Sequence, residues 1–199
     1  SIADQLIDIQ SIFATRTAFA AIKADGSVLT WGDSRYGGDS TSVSEQLTEI
    51  QLISASDRAF AALKIDDSVV TWGDSVTDYG SDSTSVAAQL IEVQSIFAAG
   101  KAFAALKADG SVVTWGVASA GVGEDSSGVQ DQLTDVVSIT SNIYAFAALK
   151  KDGTVVTWGY DGRGATSDSA ILDTLVGVTK IVSNYRSFSA LKDDNTVVS

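Results

Sequence analysis

Apolar and polar positions follow one block along this chain, and the block keeps returning. Its clearest copy, AFAALKADGSVVTWG at residues 102–116, sets an almost wholly apolar run against a short polar turn and then a β-branched and aromatic run. Close copies are AFAAIKADGSVLTWG (18–32), AFAALKIDDSVVTWG (59–73), AFAALKKDGTVVTWG (145–159) and the shorter SFSALKDDNTVVS (187–199). Phe19, Phe60, Phe103, Phe146 and Phe188 fall at steps of 41, 43, 43 and 42 residues, and Trp31, Trp72, Trp115 and Trp158 at 41, 43 and 43. A fixed period of this length marks a repeat architecture. The units run approximately 1–32, 33–73, 74–116, 117–159 and 160–199.

Within a unit, the alternation around Ile9, Ser11 and Phe13 predicts a first strand ending near Thr15, and the two blocks that follow predict two more. Asp25-Gly26, Asp109-Gly110 and Asp152-Gly153 between apolar runs predict a hairpin with a type I′ turn, positive φ at both central residues. Asp66-Asp67 and Asp194-Asn195 are poorer versions that tolerate the same region. After each Trp-Gly the chain loosens into Gly-, Ser- and Asp-rich loops such as WGDSRYGGDSTSV. A helical turn is predicted next, with Ser42 and Glu45 as a capping box and Leu47, Leu90, Leu133 and Leu175 as apolar anchors. A fourth strand in this connection is the alternative. A sheet this apolar on both faces must be covered by its neighbours, with Ala allowing close approach and Phe and Trp filling the space between. The expected fold is therefore all-β, a β-propeller of three- to four-stranded antiparallel blades, with a linear β-solenoid as runner-up.

Composition narrows the chemistry. With 199 residues, no Cys, no His and no Met, the chain lacks the parts for Ser-His-Asp, Cys-His and the usual zinc sites, so no enzyme and no cofactor are expected. A net charge of −12 disfavours nucleic acid and anionic membranes and would steer a basic partner. No apolar run approaches the roughly 18 residues of a membrane span. The start, SIADQLIDIQ, lacks a signal-peptide pattern, and with no initiator Met the chain reads as a processed product or part of a longer one.

The apolar strand, LKADGSVVTWG and a Gly-rich loop such as YGGDS resemble the repeat of the regulator-of-chromosome-condensation propeller family, across essentially the whole chain. The repeats are also similar to the bacterial propeller-type β-lactamase inhibitor. The resemblance implies a ring of seven blades, so the five units would need more chain or more subunits to complete one. It also brings nucleotide exchange on a small GTPase and chromatin contact into view, but the basic surface that chromatin needs is missing.

The two residues before each AFA-type strand differ in every copy: Arg16-Thr17, Asp57-Arg58, Gly100-Lys101, Ile143-Tyr144 and Tyr185-Arg186. Equivalent loops of a propeller converge on one face, so Arg58, Lys101, Tyr144, Tyr185 and Arg186 are the expected partner-binding residues, of the types favoured at hot spots. Drift of tolerant bends is the competing reading. Lys23, Lys64, Lys107, Lys150 and Lys192 read as solvated strand ends, and the tryptophans as core. Asp39, Asp82, Asp125 and Asp168, each followed by Ser, offer one carboxylate per unit to calcium or, more simply, cap turns. The expected function is a protein-interaction or adhesion module, non-catalytic, secreted or at a bacterial cell surface. Alternatives are an enzyme inhibitor using the same face and a self-assembling subunit that adds strands at the open end after Val198.

Overall fold

The computed structural model describes residues 2–74, 79–116, 125–166 and 168–199, so parts of the second and third Gly-rich loops and Ser167 lie outside the described residues. Fifteen strands make five three-stranded antiparallel sheets, each in simple sequence order. The first holds β1 (Ile9–Ala14), β2 (Ala18–Lys23) and β3 (Val28–Gly32); the second β4 (Ile50–Ala55), β5 (Ala59–Lys64) and β6 (Val69–Gly73). The third holds β7 (Val93–Ala98), β8 (Ala102–Lys107) and β9 (Val112–Gly116); the fourth β10 (Val136–Ser141), β11 (Ala145–Lys150) and β12 (Val155–Gly159). The fifth holds β13 (Val178–Ser183), β14 (Phe188–Lys192) and the short β15 (Val197–Val198).

No fourth strand occurs among the described residues. In its place the connection makes a 3-10 turn, Thr41–Gln46 and Thr84–Gln89 in the first two connections. The predicted capping box does not form. Ser42 lies inside the turn, and the amide of Thr41 donates instead to Asp39 Oδ1 at 2.9 Å. The anchors do land as expected, with Leu47, Leu90, Leu133 and Leu175 all buried.

The hairpin differs from the predicted type I′ turn. The Lys23 amide donates to the Ser27 carbonyl at 2.9 Å and the Gly26 amide to the Lys23 carbonyl at 2.9 Å, so the loop has three residues and only its last is left-handed. That position holds Gly26 (φ 76°), Asp67 (65°), Gly110 (79°), Gly153 (80°) and Asn195 (65°). This is the type I turn with a following bulge, which also twists to suit a hairpin. The aspartate before the left-handed residue has a different task. Asp25 Oδ1 accepts from the Ser27 amide at 3.0 Å and its hydroxyl at 2.6 Å, and Asp66, Asp109, Asp152 and Asp194 repeat the pattern.

Those hydroxyl bonds hold the five carboxylates below the ordinary carboxylate range, with the following amide and the strand-end Lys adding to the effect. A group whose pKa falls on folding stabilises the fold above its unfolded pKa, and that stability is lost as pH drops through the folded value. The melting temperature is therefore expected to fall as pH is lowered below about 4. Replacing Ser27, Ser68 and Ser111 together with Ala should flatten that dependence; an unchanged profile would remove these turns as its cause.

Sheets stack face on face through four clusters of one design. Ala18, Ala20 and Ile22 of the first sheet pack on Ile53, Phe60, Ala62 and Trp72 of the second, and the later pairs repeat this. Phe60, Phe103 and Phe146 are fully buried and stack on Trp72, Trp115 and Trp158 with centroids 5.1–5.3 Å apart. Alanine has no side chain beyond Cβ, so each sheet comes close enough for the next sheet's rings to fill the remaining gap. At the ends of the array this covering stops. Phe19 and Ile12 of the first sheet are 42% and 58% exposed, and Leu191 and Val197 of the fifth 39% and 63%.

Candidate functional site

First strands of neighbouring sheets lie side by side, so the bends that follow them gather around one axis. Main-chain bonds join these bends in series: the Arg16 amide donates to the Asp57 carbonyl, Asp57 to Gly100 and Gly100 to Ile143, each at 3.0 Å. The second bend residue is also held by its backbone, since the carbonyls of Thr17, Arg58 and Tyr144 accept from Asp33, Asp74 and Tyr160 at 3.0–3.1 Å. Backbone geometry fixes the bends whatever their side chains, which is why the sequence can vary there. Residues 14–16, 55–57, 98–100 and 141–143 line an axial depression of about 350 Å³.

The loop after each Trp-Gly returns to the same end and is tied to the bend. Thr15 Oγ1 donates to the Tyr36 carbonyl at 3.0 Å, Ser56 Oγ to the Tyr79 carbonyl at 2.8 Å, and Asn142 Nδ2 to the Arg163 carbonyl at 2.9 Å. Each tie holds the residue that precedes Gly37, Gly80 or Gly164. Each of these left-handed glycines packs on the next sheet's Phe60, Phe103 or Phe188, where an added Cβ would come within 2.5–2.7 Å of ring carbons. The side chains of Tyr36, Tyr79 and Arg163 are thereby set beside those of the bends.

Two clusters result. In one, the Arg58 guanidinium lies 4.9 Å from the Tyr36 ring and 4.4 Å from the Tyr79 ring, with Nη1 3.1 Å from Asp74 Oδ2; Lys101 Nζ lies 5.3 Å from the Tyr79 ring. In the other, Tyr144 meets Tyr160 and Tyr185 edge-on at 6.2 and 5.8 Å. Arg163 covers Tyr144 and Tyr160 at 4.5 and 5.0 Å, and Arg186 lies 5.6 Å from Tyr185. A hydrogen bond between the two phenols lowers the Tyr144 pKa and raises that of Tyr185. Arg16 is paired with Asp57 at 2.7 Å, and that bond raises its pKa. Arg163, Arg186 and Lys101 make no ion pair among the described residues, so their charge is available to a ligand.

The five sequence-selected residues thus lie at one end of the array, Arg58 and Lys101 in the first cluster and Tyr144, Tyr185 and Arg186 in the second. Sequence reasoning missed Tyr36, Tyr79, Tyr160 and Arg163. For Tyr36, Tyr79 and Arg163 the signal was the residue before the glycine in RYGG, DYGS and GRGA, whereas Tyr160 directly follows Trp158-Gly159. All five arginines and all five tyrosines of the chain are at this end, whereas Lys23, Lys64, Lys107, Lys150 and Lys192 are half-buried at the opposite, hairpin end. The carboxylates considered for calcium serve their own turns: Asp39, Asp82, Asp125 and Asp168 accept from amides two residues on, at 2.8–2.9 Å. No group of three or more acidic side chains suited to a metal occurs among the described residues.

No protein-family model and no curated protein matches the chain. Solved structures do. The ectodomain of the receptor kinase CR4 from Physcomitrella patens is similar with a TM-score of 0.56 and 16% identity, over 94% of this chain and 48% of that one. The WD40 ectodomain of the receptor kinase ACR4 from Arabidopsis thaliana gives 0.52 and 16%, over 80% and 56%, and human WBSCR16 gives 0.51 and 18%, over 76% and 47%. The chain spans about half the length of these structures. Together with the five stacked sheets, the likeness shows a β-propeller repeat fold.

Proposed function

We propose that this propeller array is a non-catalytic interaction module, displayed outside the cell, whose Tyr/Arg face binds an acidic segment of a protein partner. One observation carries the reading: every arginine and tyrosine of a chain with net charge −12 lies at a single end. Net charge alone favours a basic partner. At contact range the local groups decide, and Arg163, Arg186 and Lys101 beside flat aromatic rings select carboxylates. Tyr and Arg supply large contact area at small entropic cost, as at interface hot spots. An enzyme-inhibitor role would use the same face and differ only in the partner.

Poly-L-glutamate serves as the probe. Calorimetry at low salt is expected to show binding that weakens as salt rises, and at least about 10-fold weaker binding for Arg163→Glu combined with Arg186→Glu. Tyr144→Ala combined with Tyr185→Ala should weaken it by a similar factor with an unchanged melting temperature. Equal affinity in both double variants would overturn the assignment.

The exposed end faces favour a second reading, assembly of copies end to end. Phe19 and Ile12 are the counterparts of residues that every interior sheet buries against its predecessor. Sedimentation at rising concentration tests it: growth of larger species that Ile12→Glu prevents is expected, and a single concentration-independent species would contradict it.

A further inference from the structure

We infer that Tyr144 and Tyr185 form an oxidative cross-linking site, at which a one-electron oxidant joins the fourth sheet to the fifth through a carbon–carbon bond between the two rings. The inference does not depend on what the surrounding face binds. Ser183 Oγ donates to the Ser141 carbonyl at 2.8 Å, which fixes the spacing of β10 and β13 just before their bends. Asn142 and Asn184 then cap the two bends, each side-chain oxygen accepting from two amides at 2.7–2.9 Å. Tyr144 is the second residue of its bend and Tyr185 the first of the next. Their rings meet edge-on at 5.8 Å, with the hydroxyls hydrogen-bonded to each other.

Oxidation of this chain falls on tyrosine. The sequence has no Cys, Met or His, and Trp72, Trp115 and Trp158 are each 3% exposed, whereas Tyr185 is 60% exposed and Tyr144 half-buried. Each phenol gives one electron to the oxidant and loses its hydroxyl proton, leaving a neutral radical with spin on the Cε carbons that flank the oxygen. Contact between the two hydroxyls brings those carbons together, and exposed rings reorient fast enough to align them. A Cε of Tyr144 bonds to a Cε of Tyr185, and the hydrogen on each carbon then moves to its phenol oxygen. The pair loses two hydrogen atoms in all, which reduce one hydrogen peroxide to two waters. The other tyrosines are less suited. Tyr36 and Tyr79 pack on the Arg58 guanidinium at 4.9 and 4.4 Å. Tyr160 meets Tyr144 at 6.2 Å with Arg163 over both rings, while the Tyr144 hydroxyl is committed to Tyr185.

Treating the 199-residue chain in dilute solution with a peroxidase and hydrogen peroxide is the test. The expected product is a monomer lighter by two hydrogen atoms, with dityrosine fluorescence and a Tyr144–Tyr185 linkage in the peptide map. Tyr144→Phe and Tyr185→Phe should each lose this product, and Tyr160→Phe should keep it. In urea, where the fold no longer holds the pair, the yield should drop. The linked chain should melt at a higher temperature, because the cross-link constrains the unfolded state. No linked product, covalent dimers as the main product, a linkage at another pair, or an equal yield in urea would each overturn the inference.

Discussion

Replacing Phe103 with Ala should destabilise the protein by about 3–5 kcal/mol, whereas the same change at Phe19 should cost about 1 kcal/mol. The two residues hold the same place in the repeat and stack on Trp115 and Trp31 at the same 5.3 Å. They differ in what lies on the other side. Phe103 is fully buried against the second sheet and Gly80, so its removal opens a cavity that rigid sheets on both sides cannot close. Phe19 is 42% exposed, with no other sheet covering it among the described residues, and water fills the space its ring would leave. A loss of 3–5 kcal/mol is a large part of the roughly 5–15 kcal/mol that holds a typical domain together. Denaturant unfolding followed by circular dichroism measures both variants; equal losses would mean that the stability does not come from sheet-on-sheet packing.

Gly80→Ala is the second large effect, expected to cost about 2–4 kcal/mol against about 1 kcal/mol for Gly162→Ala. Both glycines are left-handed, at φ 87° and 74°, so each substitution strains the backbone. Only Gly80 also has a neighbour in the way, with Phe103 ring carbons 2.5 Å from the added Cβ and nothing within 4 Å at Gly162. The Phe103 ring cannot retreat, being stacked on Trp115, whose Nε1 holds the Gly80 carbonyl. One methyl group would therefore disturb the loop that positions Tyr79 as well as the core. The same denaturant series checks it, and similar losses at the two positions would show that backbone strain alone sets the cost.

Much of this fold was legible because the repeat displays its own constraints. Positions filled by Phe, Ala and Leu in every unit, and by Trp in four of the five, are those where one sheet meets the next, and the structure buries them in the interior of the array. Turn type was not legible, since Asp-Gly suits either a two- or a three-residue loop. The choice falls to strand register, which pairs Lys23 with Ser27 and leaves Asp25 free to accept from Ser27. Ser42 and Glu45 have capping-box spacing, yet the turn starts at Thr41, two residues earlier than that spacing implies, with Ser40 at the cap position and Asp39 accepting from the Thr41 amide.

Half of the candidate face was visible in the bends before each second strand. The rest lay hidden in loops whose return path depends on long-range ties such as Asn142 to Arg163, 21 residues apart. Local spacing carries no trace of such a tie. Variation at Arg58, Lys101 and Tyr144 looked equally like drift, and the structure supplies the reason that both fit: the bends are fixed through main-chain atoms, so their side chains are free to be used.

The most direct test of that face is an amide chemical-shift titration of the isotope-labelled protein with poly-L-glutamate. Shifts confined to the bend end, at Arg58, Lys101, Tyr144, Arg163 and Arg186, with Gly26, Gly110 and Gly153 of the hairpin end unmoved, are the predicted result. Shifts centred on the hairpin end, or none at any residue, would contradict it.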